Sequence, residues 1–152
     1  MAVDMFLKLT GIDGESKDAK HKDEIEIESF SWGIQPPPDD NKLAVGDFNF
    51  AKRVDKSSPI LMLSCATGKH INEAVLTCRK AGEKQLEFLV IKMTDVLISS
   101  YQTGGSAGDI VPTDSFSLNF EKIEQTYVPQ REDGSADKPV TAGFSVKEVK
   151  RG

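Results

Sequence analysis

Between Val3 and Leu9 apolar and polar positions alternate. Val3, Met5, Leu7 and Leu9 share one face, and Asp4, Phe6 and Lys8 the other, which predicts a half-buried strand. Residues 11–22 are polar and rich in Gly and Asp and predict an exposed loop. The next strand, about 24–34, changes phase. Ile25 and Ile27 share one parity, whereas Phe30, Trp32 and Ile34 share the other. One face cannot bury both sets, so the pattern predicts a bulge or bend near Glu28-Ser29. A proline-rich loop from Pro36 to Gly46 follows, and then Phe48, Phe50 and Val54 mark one face of a strand over 47–54.

A single helix is predicted over about 59–67. Ser58 is placed to cap it, Pro59 to occupy its first turn and Gly68 to end it. Ile60, Leu61, Met62, Leu63, Cys65 and Ala66 make the helix apolar nearly all round, which predicts a helix plugged into the core. Strands follow at about 72–80, 85–93, 95–103, 114–124 and 139–148, the last with Val140, Ala142, Phe144 and Val146 in strict alternation. The strand over Leu86–Met93 is apolar on both parities, so its second face needs a cover, either the helix or a neighbouring subunit. Many short alternating strands with one helix predict a mainly β protein, an antiparallel barrel or sandwich, with no repeat or linker to divide it.

Composition narrows the classes. Nineteen basic against 24 acidic residues give a net charge of −5, with no electrostatic footprint for nucleic acid. No apolar run is long enough for membrane insertion by a helix, and the N-terminal segment does not read as a signal peptide. Cys65 and Cys78 read as buried free thiols, with a disulfide between helix and strand as the alternative.

Catalytic chemistry finds few candidates. His21 lies in the charged loop, and His70 is placed as a partner for the helix C-terminus. Thr67-Gly68-Lys69 is superficially like a phosphate loop, but it ends a helix instead of opening one, and Leu63 stands where the motif needs Gly. The loop 104–108 joins two strands, with no helix start to hold phosphate. Asp39-Asp40 and Glu132-Asp133 sit among turn residues. Two Cys and two His are too few for a metal cluster, so neither a catalytic set nor a cofactor is expected.

Several segments in this order resemble one family. They are Phe30-Ser31-Trp32-Gly33, Phe48-Asn49-Phe50-Ala51-Lys52, Asp55-Lys56-Ser57-Ser58-Pro59 and Ala66-Thr67-Gly68-Lys69-His70. Met1 to Phe6, Gly14 to Asp18, Arg79-Lys80-Ala81-Gly82, Ser99-Ser100-Tyr101, Thr103 to Ser106, Leu118-Asn119-Phe120, Tyr127 and Gly143 extend the match over essentially the whole chain, 1–152. The family is that of the hemolysin-coregulated proteins, which form the inner tube of bacterial type VI secretion systems. The resemblance implies an antiparallel β-barrel with one short helix that closes into a hexameric ring with five further copies. Rings would stack into a tube that a contractile sheath expels behind a spike protein, with small effector proteins carried in the lumen. The protein would start in the bacterial cytoplasm and be secreted without a signal peptide.

Ser31 matches the family position that faces the lumen and bears on cargo, and it equally fits a small residue filling the bend between Phe30 and Trp32. Two segments are candidates for ring stacking. One is the Pro36–Gly46 loop, with Pro37, Asp39, Asp40 and Asn41, where relatives carry a Gly-rich loop. The other is 129–138, with Arg131 and Lys138 among Glu132, Asp133 and Asp137. A phage-tail-like tube protein outside secretion would share these features. A monomeric small-molecule-binding barrel would need an apolar cavity, which the apolar helix is expected to fill.

Overall fold

The computed structural model describes residues 2–36, 44–82 and 85–147. In chain order the strands are β1 (Val3–Leu9), β2 (Ile25–Glu26), β3 (Ser29–Ser31), β4 (Ile34–Gln35), β5 (Ala44–Val45) and β6 (Phe48–Arg53). After α1 (Ser58–Thr67) come β7 (His70–Lys80), β8 (Glu87–Gly104), β9 (Thr113–Tyr127) and β10 (Val140–Ser145). Every pairing is antiparallel, in the order β2-β1-β7-β8-β9-β6-β3, with β10 also on β9 and a small β4–β5 ladder apart.

The predicted phase change near Glu28-Ser29 is the closure of the barrel. β2 pairs with β1 at one end of the sheet and β3 pairs with β6 at the other. Between them, Ile27 donates its N–H to the Met5 carbonyl and Glu28 to the Ala51 carbonyl. The chain therefore changes neighbour within two residues. Ile25 and Ile27 are buried from the β1 side, and Phe30 packs on Phe48 from the β6 side.

An aromatic column fills the interior. Phe48 stacks on Phe50 at 4.9 Å between centroids, and Phe50 on Phe116 at 5.3 Å. Trp32 packs on Phe48 and Phe120, and its indole N–H donates to the Gly46 carbonyl. Leu7, Leu76, Met93, Val96 and Leu118 complete a close-packed core.

Several expectations are corrected. The stretches at 85–93 and 95–103 form one strand, because an extra residue at Ser99 and a positive φ of 55° at Asp95 bend β8 without breaking its pairing to β9. The helix does not plug the core. It buries Ser58, Leu61 and Ser64, while Ile60, Met62 and Leu63 remain exposed. The interior that the helix was expected to occupy holds the aromatic column. Ser58 does not cap the helix either. Ser57 precedes the first turn, and the Ser58 hydroxyl turns back to accept from the Asp55 N–H and from Lys52. Gly68 ends the helix in the left-handed region (φ 66°), as expected.

The loop over 11–22 is not simply exposed. Ile12, Ser16 and His21 are buried, because the segment folds down over β1 and β7. Asp18 reaches both terminal nitrogens of Arg79 at 2.9 Å, and Glu15 accepts the Lys56 N–H just before α1. His70 is no helix cap. It opens β7 and pairs with Asp95 at 3.1 Å on the surface.

Val140 at the start of β10 is exposed despite the alternation, and Phe144 is only half-buried. Cys65 and Cys78 are both free thiols. Cys65 is half-buried, and burial pushes the Cys78 thiol up to about 11.

Candidate functional site: a polar sheet face beside Ser31

β3, β6, β9 and β8 lie side by side, and their core-facing residues (Phe30, Phe50, Phe116 and Tyr101) form one rung through the barrel wall. The adjacent rung points the other way. It runs Ser31, Asn49, Ser117, Ser100. The rung beyond Phe30 repeats the chemistry with Ser29, Ala51, Ser115 and Gln102. Alternation within each strand thus places small hydroxyl and amide side chains on one continuous surface.

Ser31 is exposed on this surface, and Phe30 beside it faces the core. It is therefore not a space-filler inside the bend. Phe30 and Trp32 take the packing role expected of them.

The extra residue in β8 organises the middle of the face. It brings both Ser99 and Ser100 onto Ser117, with Oγ separations of 2.7 and 2.6 Å. Ser99 also approaches Asp47 Oδ2 at 2.9 Å. Ser117 is buried within this cluster. The signal in the sequence was Ser99-Ser100 opposite Ser117, but the pairing needs the bulge, which residue types alone do not reveal.

The arrangement offers hydroxyl and amide hydrogen-bonding groups, with the Asp47 carboxylate at its edge. Both histidines are engaged elsewhere, His70 with Asp95 and His21 with Glu24 and Glu87. Among the described residues, no three His, Cys, Asp or Glu side chains gather as metal ligands would. Among them, too, no helix is long and apolar enough to cross a membrane.

The ring-stacking candidates divide. Pro37, Asp39, Asp40 and Asn41 lie outside the described residues. The 129–138 segment is a self-bonded turn. Asp137 N–H donates to the Pro129 carbonyl, Gly134 N–H to the Arg131 carbonyl, and Arg131 faces Asp137 at 3.7 Å. The Ser135 hydroxyl and N–H, both donating to Asp133, hold that carboxyl below its usual range.

A second surface feature is apolar. A groove of about 360 Å³ runs between β4 and β10, lined by Trp32, Ile34, Ile123, Tyr127, Val140 and Phe144. Ile34, Tyr127 and Val140 are about half exposed or more. At the other end of β9, Asp114 anchors the start of α1 through Lys52, and the helix presents Ile60, Met62 and Leu63 as an apolar ridge.

Comparison with known proteins gives one answer. A family model described as "Type VI secretion system effector, Hcp" matches residues 6–127. The protein hcp1 of Pseudomonas aeruginosa is 42% identical, over 97% of this chain and 98% of that one. The crystal structure of Hcp1 from Salmonella typhimurium superposes with a TM-score of 0.84 at 39% identity, covering 98% of this chain and 99% of that one. That of a type VI secretion system effector from Yersinia pestis gives 0.81 at 38%, covering 94% and 100%. The barrel closed at Glu28, the short helix ended by Gly68 and the near full-length similarity agree: the chain belongs to the Hcp family of type VI secretion proteins.

Proposed function

We propose that this chain is the inner-tube subunit of a type VI secretion machine, a structural protein rather than a catalyst. Subunits close into hexameric rings, rings stack, and the tube leaves the cell behind a spike protein as the sheath contracts. The face around Ser31 lines the lumen and contacts small effector proteins in transit. The stacking contacts are assigned to the loop bearing Pro37, Asp39, Asp40 and Asn41.

One observation carries the assembly reading. The chain exposes two dissimilar apolar surfaces, the α1 ridge and the β4–β10 groove, at opposite ends of β9. Exposed apolar patches mark association sites. Two unlike patches on one subunit suit head-to-tail contact, which closes into a ring when the rotation permits. Family membership supports the hexamer as the closed form.

Light scattering coupled to size exclusion tests this. The expected mass is that of six chains, each 16.6 kDa. Met62→Glu and Val140→Glu, each placing a charge on one exposed patch, are expected to yield folded monomers. A monomeric wild type at high concentration overturns the ring.

A further inference from the structure

His21 sits in a position that the tube reading does not use. It is 7% exposed, and its ring stacks on Phe6 at 4.5 Å with the planes 8° apart. Its Nδ1 lies 3.0 Å from Glu24 Oε2 and its Nε2 2.9 Å from Glu87 Oε2. Neutral imidazole has a single N–H, so it can donate to one of these carboxylates and must turn a lone pair toward the other. The imidazolium donates to both.

Carboxylates gather around the ring from several elements. From its own segment, Glu24 and Asp18 face this region; from β1, Asp4; from β8, Glu87. From β7 comes Arg79, whose guanidinium lies 5.0 Å from the centre of the same Phe6 ring and is bound by Asp18 and Asp4. Four carboxylates thus meet Arg79 and His21, and removal of the His21 proton leaves Arg79 alone against them.

His21 also sits where it matters mechanically. Residues 13–24 cross over β1 and β7, with Phe6, Thr77 and Arg79 buried beneath. The segment is tied within itself by Gly14 N–H to Asp23 O, Ser16 N–H to Glu24 O and Asp23 N–H to Ser16 O. Its side-chain anchors to the rest of the chain include Asp18 on Arg79, His21 on Glu87 and Glu15 on the Lys56 N–H.

We propose that residues 13–24 are a pH-operated strap, latched over Phe6 by doubly hydrogen-bonded, protonated His21 and loosened when that proton leaves. The strap is tightest on the acidic side of the imidazole titration and opens more often as pH rises through it. Opening uncovers the Phe6 side of β1.

Amide hydrogen exchange on the full chain tests this at about pH 5.5 and about pH 8, either side of the ordinary imidazole range. After correction for the intrinsic rate, protection at Gly14, Ser16 and Asp23 is expected to fall about tenfold between the two, the effect of losing one charge-assisted bond. Protection at Ala74 to Leu76 in β7 is expected to stay level. In His21→Gln the difference between the two pH values disappears. In Glu87→Gln it also shrinks, with the strap closed at both, because the new amide can donate to neutral imidazole; this variant carries the test if His21→Gln does not fold. Equal wild-type protection at the two pH values overturns the latch, and so does a pH difference that survives both substitutions.

Discussion

Lys52 and Asp114 are direct partners across β6 and β9, both side chains fully buried, with Nζ 3.2 Å from Asp114 Oδ2. The ammonium also reaches Asp55 Oδ1 and Ser58 Oγ, each at 3.0 Å, and the Arg53 carbonyl at 3.2 Å. Tyr101 donates its hydroxyl to Asp114, and burial with that carboxylate beside it holds the phenol above its usual range. One buried cation therefore ties the entry of α1 to the wall of the barrel.

Removing Lys52 strands two carboxylates. Lys52→Met is expected to destabilise the fold by about 3–5 kcal/mol, the usual cost of breaking a buried pair from one side. Lys52→Met with Asp114→Asn should recover part of that loss, since the second change removes one stranded charge. Urea denaturation followed by tryptophan fluorescence, through Trp32, measures both. A single variant as stable as the parent would mean that water reaches the cluster.

Acid should loosen another anchor of the strap. The Arg79 guanidinium, donating to Asp18, lowers that carboxyl to about 2 from 3.8. A lowered folded-state value gives stability that is present above the unfolded value and is lost as pH falls through the folded one. The Asp18 contribution is thus complete at neutral pH and fades between about pH 4 and about pH 2. Denaturation midpoints across that window should fall less steeply in Asp18→Asn than in the parent. Parallel curves would remove Asp18 from the acid response.

The proposed lumen role of the Ser31 face predicts a separable effect on cargo. Ser31→Gln adds bulk to a rung of small side chains without touching the core, since Phe30 alone of the pair points inward. Rings of unchanged mass are expected, with effector retention on co-purification abolished. Normal retention would take Ser31 out of the cargo site.

Much of this architecture was legible in the alternation of residues, and the misses have physical causes. The phase change between Ile27 and Phe30 could be seen directly, because a strand that changes neighbours must also change its buried face. Lys52 was not singled out, although it stands on the core parity between Phe50 and Val54, because its partners come from β9 and from the turn before α1. A single-strand pattern carries no information about them. The helix misled because an apolar composition says what can be buried and not what is; Ile60, Met62 and Leu63 stay outside in the single chain. The 13–24 strap was hidden for the opposite reason. Its polar composition looks solvated, yet Asp18 and His21 turn inward onto Arg79 and Glu87. Ser31 could be placed on a surface only once Phe30 was known to face the core.

Closure of the barrel rests on backbone bonds that side chains do not announce. Glu28 N–H donates to the Ala51 carbonyl at 2.9 Å, while the Glu28 side chain is exposed and meets Arg53 only at 3.5 Å on the surface. Glu28→Pro deletes the donor and leaves that carbonyl without its partner, a change expected to cost about 1–3 kcal/mol. Glu28→Ala keeps the N–H and loses only an exposed ion pair, so its cost should stay below about 1 kcal/mol. The two variants share the lost side chain and differ at the backbone, so their difference isolates the seam. Amide exchange should locate the effect at Ser29 to Ser31 and their partners Asn49 to Ala51, with β7 and β8 unchanged. Equal stability of the two variants would show that the barrel is held shut by its aromatic column, with Phe30 on Phe48, and not by the strand that crosses the seam.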